Sequence, residues 1–384
     1  MLDDELTVIV VPKPSWQTVS VATVIDGGRM AEPQPGITRL LTDSWLASRP
    51  GGRSVTARYD RMGARTEIRV QPETTVFWAH GPRAALTGLL ALERQRFADP
   101  LLRVGPAVRP SRTTVRERFR ATYLDAVFSA LYPESHPYHG LWRADGPSVT
   151  LASAARHAQA TWTPSRATLV VAGPVGPEDV ACALQACPVE IATHTAQVGE
   201  ISVLDGDLAG WAAPIPPATD IGPVEAGVPG DAVLVAWALP GIAAGGGHLA
   251  RWAVDEVEAR FVADRTLPAP ARCQVFEGQR ATSLVCVVHT PAAVDLSRMR
   301  KRWERRLDRP LQVSVAGWRT EQLVEVLGAT DDPAQIPELA EQAHHSGSFQ
   351  PMGGSGLGFD DTVARSYVQR LLGAERMVVV RLVP

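Results

Sequence analysis

The stretch Pro35-Gly36-Ile37-Thr38-Arg39-Leu40-Leu41-Thr42-Asp43 decides how this chain is read. Apolar residues at 37, 40, 41 and 45 recur at helical spacing behind a Pro-Gly start, so a helix is predicted over Gly36–Ala47. Arg39 and Asp43 lie four apart and share one face of that helix, where they can pair. Just upstream, Gln17–Ile25 alternates through Val19, Val21 and Val24 and closes on Asp26-Gly27-Gly28, a strand running into a turn. Before it, Leu6–Val11 is a short apolar strand stopped by Pro12.

Downstream, Ser54–Tyr59, Arg65–Val70 and Thr75–His80 read as strands. Arg83–Phe97, Thr113–Leu131 and Val149–Thr161 read as helices. Arg166–Ala172 is an apolar strand, and Gly176–Ala186 is a helix with Pro177 near its start. From Pro188 to Gly230 the texture changes to prolines among Gly and Ala, which predicts a linker, with one strand at Glu200–Leu204. Strand, glycine turn and helix then recur, as Ala232–Leu239, Gly245-Gly246-Gly247 and His248–Ala263. Strands at Ala271–Phe276 and Thr282–His289 follow, with helices at Val294–Leu307, Gly317–Leu327, Pro333–Ala343 and Asp360–Leu372. Arg376–Leu382 is the closing strand. The halves rhyme, which predicts a duplicated α+β domain, a sheet backed by helices. The boundaries are residues 1–190, a linker at 191–229, and 230–384.

Bulk composition agrees. The chain has 384 residues, 45% hydrophobic and 21% charged, which suits two globular domains. The net charge of −3 offers nucleic acid or an anionic membrane no general attraction. Of the 38 basic residues 36 are arginines, scattered among acids, with Lys13 and Lys301 the two exceptions. No apolar run approaches the length of a membrane span, and the acidic start Asp3-Asp4-Glu5 does not read as a signal peptide. The four cysteines (Cys182, Cys187, Cys273, Cys286) fall in three different elements, so no disulfide framework is expected. A reduced, cytoplasmic setting is the expectation.

The order of these signals resembles the pitrilysin/insulinase family of metallopeptidases, in particular its mitochondrial-processing-peptidase-like branch. Its members run from a strand ending in Gly to P-G-[LI]-A-H-x-x-E-H, whose helix carries zinc ligands. A third ligand, Glu, lies on a later helix, followed by a [FY]-P-x-[ST]-H-P-Y turn and an apolar x-P-x-x-[AM]-x-L-V-V-x-G strand. Here the matching pieces are Asp26-Gly27-Gly28, Pro35 to Asp43, Gly63-Ala64-Arg65, Tyr132-Pro133-Glu134-Ser135-His136-Pro137-Tyr138, and Trp162 to Val175. The second half resembles the family's degenerate repeat. The resemblance implies an α+β half-clam of two homologous domains, each a mostly antiparallel sheet backed by helices.

The match fails at the chemistry. Position by position, Arg39 stands where the family has its first His, Thr42 where it has the catalytic Glu, and Asp43 where it has the second His. Zinc hydrolysis needs two imidazoles one turn apart and a carboxylate base between them. A guanidinium has no lone pair to give and repels a cation, and threonine does not accept a proton from metal-bound water at neutral pH. No other H-x-x-E-H or H-x-x-x-H occurs. The third ligand would fall on the Thr113–Leu131 helix, where Glu117 is the nearby glutamate. Two readings of the substitution stay open. Arg39, with Glu117 near, supplies the charge that zinc supplies in active relatives, or Arg39 and Asp43 are a solvent-exposed pair.

The remaining motifs carry less. His136-Pro137-Tyr138-His139 is broken by proline and reads as a turn. His344-His345 sits at a helix end and reads as solvated. Gly353-Gly354-Ser355-Gly356-Leu357-Gly358 lacks both the P-loop Lys and the nucleophile register, and reads as an entry loop before the Asp360 helix. The ten tryptophans share no spacing and read mostly as core. Active relatives hold substrate with an Arg and a Tyr seven apart, and the corresponding stretch keeps Arg265 but has Arg272 at the Tyr position. The resemblance therefore implies a non-catalytic subunit, without metal of its own, that closes a chamber and binds peptide for a zinc-bearing paralogue, as in peptide precursor processing. The alternatives are a structural subunit of a larger assembly and an enzyme with a different metal site.

Overall fold

The structure, a computed structural model, describes residues 6–49, 52–99, 115–142, 149–184, 191–193, 220–225, 232–241, 247–262, 272–276, 278, 280–289, 295–307, 309, 331–346, 361–373 and 376–383. The chain forms two compact units. The first comprises residues 1–113, 145–199 and 325–351, and the second 114–144, 200–324 and 352–384. The units therefore interleave along the sequence, where a boundary at 191–229 would have made each contiguous.

The first unit is built on six strands: β1 (Thr7–Pro12), β2 (Thr18–Asp26), β3 (Arg65–Val70), β4 (Thr74–Pro82), β5 (Ala167–Gly173) and β6 (Ile191–Thr193). Their order is β3-β4-β2-β5-β1-β6. The β3/β4, β4/β2 and β2/β5 pairs are antiparallel, whereas β5/β1 and β1/β6 are parallel. On one face, Val8, Val10, Val19, Val21, Leu169 and Val171 pack under the helices α1 (Ile37–Ala47), α2 (Val55–Arg61), α3 (Leu86–Ala98), α5 (Leu151–Thr161) and α6 (Pro177–Leu184). On the other face the alternate residues Ile9, Val11, Ala22, Val24, Val170 and Ala172 meet Ile336, Leu339, Ala340 and Ala343 of α9 (Ile336–Ser346). Covering both faces is why β5 is buried along its whole length and reads as a continuous apolar run.

The second unit repeats this plan. Its strands β7 (Asp220–Glu225), β8 (Ala232–Pro240), β9 (Arg272–Phe276), β10 (Ala281–His289) and β11 (Val378–Val383) run in the order β7-β11-β8-β10-β9. Read from the other edge, β9-β10-β8-β11-β7 matches β3-β4-β2-β5-β1 strand for strand, with one parallel pair, β11/β7, where the first sheet has β5/β1. Helices α7 (Gly247–Val262), α8 (Leu296–Leu307) and α10 (Asp361–Leu371) send Trp252, Val257, Met299, Trp303, Tyr367 and Leu371 onto one face. Strands β8 and β11 also touch α4 (Val115–Leu131), which comes from the first half of the chain. Each half thus gives one helix to the other half's sheet, α4 in one direction and α9 in the other.

Three expectations are corrected. Ser54–Tyr59 is not a strand: Ser54 caps α2 by accepting the Ala57 N–H at 3.1 Å, and Val55 and Tyr59, four apart, are the buried pair. The β-branched Val55 and Thr56 gave the misleading strand signal. A disulfide is present after all, because Cys273 and Cys286 face one another across β9 and β10 and are joined at 2.04 Å. Cys182 is a free, exposed thiol. His344 and His345 are half-buried rather than solvated, since α9 lies on the sheet. The expected helix at 317–327, the strand at 200–204, the glycines 245 and 246 and the 353–358 loop fall outside the described residues.

Candidate functional site

Gly28, at the end of β2, is seated under the β3–β4 turn, where a Cβ would lie 2.4 Å from the Gln71 carbonyl and 2.5 Å from the Thr74 nitrogen. The chain then reaches Gly36, which takes φ +90° at the N-cap of α1, a conformation suited to glycine. No side chain at the cap position serves this helix. Instead Glu32 reaches forward and accepts from the N–H groups of Gly36 (2.8 Å) and Thr38 (3.2 Å), placing a carboxylate at the positive end of the helix. Leu41 and Trp45 anchor α1 in the core. The helix is thereby fixed at both ends, and the orientation of Arg39, Thr42 and Asp43 follows.

Those three residues are brought together on one face. Arg39 Nε lies 3.9 Å from Asp43 Oδ2, with side chains 37% and 31% exposed. The Thr42 hydroxyl donates to the Arg39 carbonyl at 2.8 Å, so it is engaged by the backbone of its own helix. Behind α1, Thr38 Oγ1 lies 3.3 Å from Nε2 of the buried His157 on α5, whose Thr161 hydroxyl bonds the His157 carbonyl. Burial, helped by the Arg166 charge, holds the His157 imidazole below its ordinary pKa and therefore neutral at pH 7. Sequence reading missed Glu32 and His157, because their partners lie across a loop and 119 residues away.

This donor set does not fit zinc. It offers one carboxylate, no imidazole on the exposed face, and a fixed cation where the first ligand would be. Among the described residues no group of three His, Cys, Asp or Glu side chains is placed to hold a metal. Glu117 lies on α4, in the second unit, and its side chain is outside the described residues, as are Arg265 and the side chain of Arg272.

Two further constellations are structural. In the second unit the Tyr132–His139 turn packs on the β9–β10 hairpin. Tyr132 Oη shares a hydrogen bond with Ser283 (2.7 Å), Tyr138 Oη accepts from the Arg280 N–H (3.3 Å), and Gly278 lies so close that a Cβ would sit 2.1 Å from that hydroxyl. His136 Nδ1 accepts from the Tyr138 N–H, whereas His139 Nδ1 donates to the Tyr132 carbonyl, so both Nδ1 atoms are engaged by the backbone of the turn. In the first unit Glu93 and Arg96 form a buried ion pair on α3. Thr23 donates to Glu93 at 2.5 Å, and the guanidinium stacks 3.7 Å over the Phe77 ring. A cavity of about 430 Å³ between the end of α3 and α5, lined by Phe97, Asp99, Gln159 and Trp162, contains none of the α1 residues.

Comparison with known proteins supports the fold. No protein-family model and no curated protein matches the sequence. Solved structures do match in shape. A protease from Helicobacter pylori is 14% identical with a TM-score of 0.67, covering 100% of this chain and 98% of that one. A peptidase M16 inactive domain from Pseudomonas fluorescens is 16% identical with a TM-score of 0.66, covering 98% and 95%. A chain of complex III2 from Candida albicans is 10% identical with a TM-score of 0.63, covering 98% and 93%. The chain therefore shares the two-domain α+β fold of the M16-like peptidases.

Proposed function

We propose that this chain is the non-catalytic subunit of a heterodimeric insulinase-family metallopeptidase, closing the chamber and helping to hold peptide for a zinc-bearing partner in peptide precursor processing. The observation that carries this reading is the Arg39–Thr42–Asp43 face. In this reading α1, with its glycine turn and N-terminal cap, stands for the family's metal helix, but it presents one carboxylate, Asp43, beside the Arg39 cation, and Thr42 where a base is needed, too little to hold zinc and activate water. In this reading zinc belongs to the partner, and Arg265 contacts the substrate. The likeness to an inactive M16 domain supports a non-catalytic role. No helix among the described residues is long and apolar enough to cross a membrane. We extend the reading to the cytoplasm, against which the Cys273–Cys286 bond weighs.

The likeness to a complex III2 chain favours a second reading, a structural subunit of a larger assembly. Size-exclusion chromatography and peptidase assays of this chain and of an H-x-x-E-H-bearing paralogue, separately and mixed, distinguish the two. The subunit reading expects co-elution and activity only in the mixture, with Arg265→Ala lowering turnover while the pair stays together. A paralogue fully active alone that never co-elutes with this chain would replace it with the structural reading.

A further inference from the structure

Helix α8 of the second unit reads Leu296-Ser-Arg-Met-Arg-Lys-Arg-Trp-Glu-Arg-Arg-Leu307, six basic side chains against one acid in twelve residues. Three of its apolar residues, Met299, Trp303 and Leu307, are buried in the core beside Trp252 and Tyr367. Its C-terminal end is held as well. Arg260 of α7, buried and paired with Glu256 at 2.6 Å, donates to the carbonyls of Arg306 (2.9 Å), Leu307 (2.7 Å) and Arg309 (3.0 Å). At the other end Asp295 accepts from the N–H groups of Ser297 and Arg298. The helix is thus rigidly docked, and what it turns to solvent is charge. Arg298, Lys301 and Arg305 are exposed at i, i+3 and i+7, one face spanning about 10 Å along the axis, and Arg309 is exposed just past the end. Arg300 has its own acid, Glu304, at 2.9 Å, whereas Lys301, Arg305 and Arg309 have no carboxylate partner among the described residues.

We propose that the α8 stripe is a docking surface for an acidic helical segment of another protein. Carboxylates at i, i+3 or i+4, and i+7 of a partner helix repeat at the spacing of the stripe, so each can meet one cation, and guanidinium groups accept carboxylates in a bidentate fork. The docked helix supplies that cation row on a backbone that needs no further ordering. An anionic membrane fits less well, since the described residues of the stripe offer no apolar side chain to insert and a few cations alone adsorb weakly. Nucleic acid fits less well too. The stripe has no exposed ring for base stacking, because Trp303 is buried, and a chain of net charge −3 repels a long polyanion beyond the patch. This surface does not depend on how the α1 face is read.

The test measures fluorescence anisotropy of a labelled alanine-rich helical peptide with glutamates at i, i+4, i+7 and i+11 against the full chain. Its isomer, with the same glutamates spread around the helix, a single-stranded DNA 20-mer and phosphatidylserine-containing vesicles are run in parallel. We expect the in-register peptide to bind best. Arg298→Gln/Lys301→Gln/Arg305→Gln should weaken it about tenfold or more with an unchanged melting curve, and 0.5 M salt should abolish it. If the triple variant fails to fold, Lys301→Gln and Arg305→Gln singly should each weaken binding about threefold. Absence of binding at low salt, equal binding by the isomer or by the variants, or tighter binding of the oligonucleotide or vesicles would overturn the proposal.

Discussion

Arg39 sets a guanidinium, which has no lone pair to give, at the position that the family resemblance assigns to the first zinc ligand. Replacing Arg39, Thr42 and Asp43 by His, Glu and His restores donors to the helix but not the hydrogen bonds that orient such ligands. We therefore expect the triple variant to bind zinc at best weakly, read by elemental analysis after gel filtration. A variant with one tight zinc per chain would show that the lost donors were the whole defect. The histidines of α9 give a second prediction at this scale. Burial, together with the neighbouring His344, lowers His345 to about 4, with Asp26 opposing, and burial lowers His344, whose Nδ1 lies 2.9 Å from the Thr168 hydroxyl. Both are depressed in the folded state, so the unfolded chain binds protons first. Stability is complete above about pH 6.5 and falls as the pH drops toward 4, by roughly 1–2 kcal/mol after allowing for partial exposure. Urea midpoints at pH 7 and pH 5 measure it, and His345→Gln should flatten the difference. The Arg39 face was legible in sequence because residues three and four apart on a helix must be neighbours. The His344 site was not, because its environment is a strand far away in the chain.

At the scale of elements, long periodic helices and fully apolar strands could be read directly, α1, β5 and β8 among them. The short α2 was misread because a seven-residue helix with two β-branched residues has too few turns to show its period, and its cap decides the outcome. Ser54→Ala should cost about 1 kcal/mol in thermal unfolding, against near-neutrality if the segment were a strand. The cations of α8 stand in plain sequence between Arg298 and Arg306, but a sequence count does not separate exposed cations from those held by acids. Buried charge went unseen for the same reason. Arg96→Met leaves Glu93 without its cation inside the first core and should lower stability by about 3–5 kcal/mol, whereas Arg96→Met with Glu93→Leu should recover most of it. The Cys273–Cys286 pair was hidden because only strand register places two residues 13 apart face to face. Thiol titration of the denatured, unreduced chain should find two reactive groups, rising to four after reduction.

At the scale of the whole molecule, duplication was legible because the order of elements repeats, but the exchange of α4 and α9 was not, since a helix does not announce which sheet will receive it. The α9 contacts include Arg69 with Glu338 and Thr74 with Glu341, and just ahead of the helix Lys13 donates to Asp331 at 2.8 Å. Burial of Ile336 and Leu339 alone contributes about 3–6 kcal/mol, a large share of ordinary domain stability. A fragment of residues 1–229 should therefore lack a cooperative melt and bind a hydrophobic dye, and a fragment that melts as sharply as the full chain would show α9 to be dispensable. The same exchange governs birth on the ribosome. The last long strand of the first sheet is complete at Gly173, but the helix that covers its second face ends at Ser346. At ordinary elongation speeds roughly ten to thirty seconds separate the two. Throughout that interval the nascent chain carries a sheet with one greasy side open, which makes its synthesis, more than its finished form, the stage that depends on chaperones.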